Sequence, residues 1–234
     1  GGGQVPHSTN ASSSELLIQS SITIVMIFVA LMLGDMIQPW GTKVSLSVLA
    51  QGAPVGKTAL FQISGIWLVL GAVSMSYLLF GWRVLPAVFI GFHISALYVY
   101  GWSLNPFALT VSGNLKTFAW INHAHALVTT LGPLLAIYTM RTFRLSKFFE
   151  AEKLVFQHVV FLMILAAFFN TFAKFFIDTS FRTWLELPIR VDEATYVPAM
   201  LIGDLTGGIG FVFVLALVVV PIIRMLVPEV ISKE

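Results

Sequence analysis

Residues 200 to 210 read Met-Leu-Ile-Gly-Asp-Leu-Thr-Gly-Gly-Ile-Gly and run without interruption into Phe-Val-Phe-Val-Leu-Ala-Leu-Val-Val-Val and Pro221. The segment is long enough to cross a bilayer, yet it carries an acid, Asp204, in its apolar interior. A charge at the bilayer centre costs at least ~3 kcal/mol on insertion scales, so Asp204 must face other protein or water rather than lipid. Gly203 and Gly207 lie one turn apart and Gly208 follows, which leaves a smooth face for close approach of a second helix. The pattern calls for a polytopic membrane protein packed around this helix.

Composition agrees. The chain is 57% hydrophobic and 10% charged, with a mean hydropathy of +0.89. Soluble proteins average about 25% charged residues. A soluble catalytic domain of about 100 residues does not fit in what the apolar segments leave over. The 13 basic residues are spread over many loops, and the net charge is only +2, so a nucleic-acid partner has no electrostatic footprint. The chain has no cysteine, which excludes disulfides and thiolate metal sites.

The expected fold is all-α: a bundle of about six transmembrane spans, placed near 16–37, 58–80, 84–101, 117–140, 154–176 and 196–223. Residues 1–14 read as a flexible tail, 15–226 as one transmembrane domain and 227–234 as a cytoplasmic tail, where an output module could begin. The stretch after Pro39 is too broken for a span but apolar enough for an extra re-entrant or interfacial helix at 42–52. Pro133 should kink the fourth span, whereas Pro198 falls in the first turn of the sixth, where a missing N–H costs little. No strand is expected. Arg141, Arg144, Lys147 and Lys153 crowd one loop and tip the orientation toward both termini inside.

Placing each polar residue by its distance from the nearer helix end puts Asp204 eight residues into its span, ~12 Å deep at the rise of an α-helix. Asn122, His125 and Asn170 fall at comparable depth from the same side, and Asp35 lies close to that side on the first span. A carboxylate, amides and an imidazole at one level either satisfy one another as interhelical contacts or surround a small polar ligand. The candidate ligand-binding residues are therefore Asp204, Asn122, His125, Asn170 and Asp35, with Gly203, Gly207 and Gly208 for helix packing. The charged stretch from Asp178 to Glu193 is expected to be a surface loop.

Catalysis finds no support. There is no Gly-x-Ser-x-Gly elbow, no His-Glu-x-x-His motif and no phosphate loop, so no catalytic or metal residue, no cofactor and no enzyme activity are expected. His123 and His125 point about 200° apart on a helix and cannot share one centre. His93 with His125 is the haem pairing that spacing leaves open.

Three groups of residues resemble the integral membrane sensor domain of bacterial signalling proteins, the first of the membrane-associated sensor (MASE-type) families. Ser64-Gly-Ile-Trp67 through Leu79-Phe-Gly-Trp-Arg83, with Leu85-Pro86 and Ile90-Gly91, is similar to the family's early helices. Asn122 in Trp120-Ile-Asn-His-Ala124, on a helix ending at Arg141, resembles its asparagine helix. Gly203-Asp-Leu-Thr-Gly207 with Pro221 resembles its last span. The resemblance implies a multi-pass domain of the bacterial inner membrane, relaying a stimulus to a cytoplasmic signalling protein or fused output domain, in two-component or cyclic-dinucleotide signalling. A small-molecule ligand and the lipid bilayer are the implied contacts, and a homodimer is left open. A small transport protein or the substrate-binding subunit of an uptake system is the alternative, and an intramembrane haem or redox protein the third.

Overall fold

In the computed structural model, residues 12–49, 67–112, 115–145, 156–186 and 193–226 are described. They form helices α1 (Ser13–Leu49), α2 (Val69–Phe80), α3 (Leu85–Tyr100), α4 (Ala119–Thr142), α5 (Phe156–Trp184), α6 (Glu193–Val214) and α7 (Val220–Leu226). A 3-10 turn at Trp82–Val84 precedes α3, and strands β1 (Leu109–Ser112) and β2 (Leu115–Phe118) precede α4. The protein is thus predominantly helical. Among the described residues, four stretches are long and apolar enough to cross a membrane: Ser13–Ile37, Trp82–Tyr100, Gln157–Trp184 and Met200–Val218. The polar residues of α4, among them Asn122, His125, Thr129 and Thr130, keep it outside that group, and α2 is a shorter apolar helix of 12 residues.

Several expectations are corrected. The separate element at 42–52 does not form, because α1 continues through Pro39 and Gly41 to Leu49; residues 50–52 lie outside the described residues, as do 1–11, 58–66 and 227–234. The strands were not anticipated: Leu109 to Phe118 pair antiparallel, Leu109 with Phe118 and Ser112 with Leu115. Only Gly113 and Asn114 separate them, the two-residue Gly-Asn connection that favours a hairpin turn. Pro198 sits inside α6 rather than in its first turn, since that helix begins at Glu193.

Helix α4 runs antiparallel along α5, α1 lies on α3, and α6 packs against both α5 and α2. Ile27, Leu31, Leu70, Phe92, Met140 and Leu162 fill the centre. Val25, Ile94, Leu135, Phe172 and Leu217 are exposed, as suits helices whose solvent on that side is lipid. Buried hydroxyls turn back on their own helices: Ser76 donates to the Ala72 carbonyl at 2.8 Å, Ser95 to Gly91 at 2.6 Å and Thr130 to Ala126 at 2.8 Å.

Two glycines shape the connections. Gly81 (φ 77°) turns the chain from α2 toward α3, and Gly101 (φ 64°) ends α3 in the left-handed conformation that terminates many helices. The loop that follows caps α4, since the N–H groups of Ala119 and Trp120 donate to the carbonyls of Ala108 and Pro106, each at 2.9 Å. Proline accounts for two further irregularities. Pro133 cannot donate to the Thr129 carbonyl within α4, and the Tyr77 hydroxyl donates to the adjacent Thr130 carbonyl at 2.8 Å, tying α2 to α4 beside that gap. Between α6 and α7 the helix widens into a π turn at Leu215–Val219, just ahead of Pro221, whose ring would clash with a carbonyl in a regular α-helix.

Candidate functional site

Asn170, Lys174, Asp178 and Arg182 follow one another at four-residue intervals on α5 and therefore share one face. That face is turned inward: Asn170 is 0% exposed, Lys174 5%, Asp178 4% and Arg182 1%. Asp204, 1% exposed on α6, joins the ladder at one end. Its Oδ2 accepts a hydrogen bond from the Asn170 side-chain amide at 2.7 Å and another from the Thr171 hydroxyl at 3.1 Å. The ammonium of Lys174 exerts an attractive field on the same carboxylate and stands 5.2 Å over the Trp67 ring.

Two turns along α5, Asp178 accepts from the Arg182 guanidinium at 3.1 Å, and His125 Nε2 of α4 approaches the same oxygen at 3.5 Å. Two carboxylates and two cations balance in charge, which is the condition for tolerating them inside a bundle. Ionised groups lose several kcal/mol each on leaving water, and only partners can offset that.

The glycine face of α6 positions Asp204. The backbone N–H of Trp67, just ahead of α2, donates to the Gly203 carbonyl at 2.8 Å. A Cβ on Gly207 would fall on the Trp67 backbone, and one on Gly208 would strike the end of Met163. From the other side, a Cβ on Gly71 would lie 2.7 Å from the Gly208 carbonyl oxygen. Absence of side chains on both helices thus lets α2 and α6 meet at backbone distance.

Of the residues singled out from sequence, Asp204 and Asn170 are in direct contact. His125 is not at their level; it meets Asp178, two turns away. Asn122 is buried on the same face of α4, one turn before His125. Asp35 is exposed on α1 and acts on Tyr100 rather than on Asp204. The expected surface loop from Asp178 is overturned as far as Trp184, because α5 continues to that residue and buries Asp178 and Arg182; residues 187–192 lie outside the described residues. Thr171, Lys174, Asp178 and Arg182 were missed. The four-residue spacing of Lys174, Asp178 and Arg182 from Asn170, which puts them on one helix face, was the available signal.

The haem pairing of His93 with His125 does not form. His93 Nε2 lies 2.9 Å from His123 Nδ1, while His125 turns to Asp178. Among the described residues, no group of three or more His, Asp or Glu is placed to hold a metal ion.

No family model, curated protein or solved structure matches this chain.

Proposed function

We propose that the protein is a sensory or interaction domain of a bacterial inner membrane, in which a small polar stimulus or a partner acts at the Asp204 level and α6 carries the resulting change of packing toward a cytoplasmic signalling partner. The observation that carries this proposal is unmet hydrogen-bonding capacity beside Asp204. Among the described residues, the Asn170 Oδ1 atom and the Trp67 indole N–H are both buried without a hydrogen-bond partner, and both residues touch the Asp204–Lys174 group. A ligand offering one donor and one acceptor would complete the set, and it would act on three elements at once: α5 through Asn170, α6 through Asp204, and the start of α2 through Trp67. A ligand shifts packing only by binding one arrangement more tightly than another, and a site built from three helices meets that condition. Six spans, with α2 and α4 crossing among partners, and both termini on the cytoplasmic side complete the proposed topology.

The absence of cysteine makes the test direct. Spin labels on cysteines introduced at the exposed Phe176 of α5 and Phe213 of α6 report the distance between the two helices. A panel of small polar metabolites is scored for thermal stabilisation and for a change in that distance. The proposal expects a stabilising compound whose effect on the distance disappears in Asp204→Asn. It fails if Asp204→Asn folds and behaves as the wild type in both measurements.

A transport role is the second reading, favoured by the ionisable ladder continuing past Asp204 through Lys174, Asp178 and Arg182. Solute uptake into proteoliposomes, abolished by Asp204→Ala, would select it instead.

A further inference from the structure

A second polar cluster lies where α3 and α4 meet, and its hydrogen bonds determine its protonation. His93 Nδ1 stands 2.9 Å from the Phe89 carbonyl oxygen. A carbonyl cannot donate, so the proton of that bond belongs to His93 Nδ1, and in the neutral ring Nε2 carries a lone pair. That Nε2 lies 2.9 Å from His123 Nδ1. The proton of this second bond must therefore come from His123 Nδ1, which leaves the lone pair of a neutral His123 on its Nε2. The Nε2 atom is buried and has no hydrogen-bond partner among the described residues. The backbone of Ser103 is near enough to act on the ring, although it forms no hydrogen bond to Nε2.

We propose that the His93–His123 pair is a one-proton binding site, loaded at His123 Nε2. One proton from the aqueous phase adds to the lone pair, and nothing has to leave. Both existing hydrogen bonds keep their donors, because a protonated His123 still donates from Nδ1 to His93. Both residues are partly exposed, unlike Asp204. The Ser103 backbone acts on the same ring, so loading draws on the loop of residues 101–108. That loop caps the start of α4 through Pro106 and Ala108, and loading therefore bears on how α3 and α4 are joined.

Among the described residues, the other charged groups facing these helices are directed elsewhere. From α3, His93 is the titratable group that acts on His123. On α4, His125 turns to Asp178 of α5, where Arg182 also binds, and Lys174 serves Asp204. On α1, Asp35 acts on Tyr100, and α2 contributes Tyr77, whose hydroxyl is bonded to Thr130. Trp102 stands at 6.2 Å from the His93 ring and 6.3 Å from that of His123, and holds the pair in an apolar frame. The inference does not rest on the sensory role proposed above.

Nitrogen NMR of the full chain with labelled histidine rings tests it, because a bare ring nitrogen and an N–H resonate far apart. The chain has five histidines, at 7, 93, 123, 125 and 158, and His123→Gln and His93→Gln assign the pair by difference. At about pH 8.5 both rings should carry their proton on Nδ1, the minor tautomer of free imidazole; on acidification the pair should take up its proton at His123 Nε2, the ring nitrogen left outside both hydrogen bonds. If either assignment variant fails to fold, His7→Gln, His125→Gln and His158→Gln assign the pair by elimination. An Nε2–H signal for His123 at high pH, or no change in its ring on acidification, overturns the proposal.

Discussion

Asp204 on α6 accepts a 2.7 Å hydrogen bond from the side-chain amide of Asn170 on α5, across 34 residues of sequence. The same carboxylate takes the Thr171 hydroxyl and faces Lys174, so one oxygen pair organises three groups of the neighbouring helix. Removing it should cost more than its own contacts. Asp204→Ala removes a carboxylate that the buried Lys174 ammonium acts on, and taking one partner from a buried charge pair typically costs about 3–5 kcal/mol. Asp204→Ala with Lys174→Met should recover a large part of that loss. Unfolding of the four proteins of this cycle in detergent measures it, and a double variant no more stable than Asp204→Ala would show that the two residues are not coupled.

Gly207 and Gly210 stand one turn apart in sequence terms but in opposite surroundings. A methyl on Gly207 meets the Trp67 backbone, which cannot swing away, whereas nothing lies within 4 Å of one on Gly210. Gly207→Ala should therefore lower stability by about 1–3 kcal/mol, the usual cost of overpacking. Gly210→Ala should be neutral or slightly stabilising, since alanine favours the helix. Parallel melting curves of the two variants settle the comparison.

The Tyr77 hydroxyl reaches the Thr130 carbonyl in the turn weakened by Pro133. Tyr77→Phe keeps the ring and removes the bond, with an expected loss of about 0.5–1.5 kcal/mol. Pro133→Ala restores an N–H whose helical acceptor is the Thr129 carbonyl rather than that of Thr130, so the penalty of Tyr77→Phe should be unchanged and the two effects additive. A smaller penalty of Tyr77→Phe in the Pro133→Ala background would show that the tyrosine bond compensates for the proline.

Continuation of α5 to Trp184 has a backbone signature. Amides from Lys174 to Arg182 should exchange as slowly as those of the preceding turns, because they are donors inside a packed helix. Fast exchange beginning at Asp178 would restore the surface loop expected from composition.

Much of the fold was legible. Continuous apolar segments, Gly203 and Gly207 one turn apart, and an acid with no aqueous neighbour in sequence are properties of the chain read in order, and each has a direct physical meaning in a bilayer. That Asp204 and Asn170 meet at one level also followed, because helical rise converts position into distance. His125 did not follow: α5 runs to Trp184, two turns past the end from which its residues were counted, so His125 comes level with Asp178 rather than Asn170. The hairpin was missed because four-residue strands carry little periodicity.

By itself, then, the amino-acid order determined that the chain is helical, suited to a membrane, and obliged to bury Asp204 against other protein, because the cost of a charge in lipid depends only on the segment that carries it. Tertiary structure decided which partners meet that obligation. Lys174, Asp178 and Arg182 look like loop charges when counted along the chain. They become a neutral buried ladder only because α4, α5 and α6 bring acids, bases and an imidazole within a few ångströms, and an electrostatic balance of that kind exists between helices rather than within any one of them.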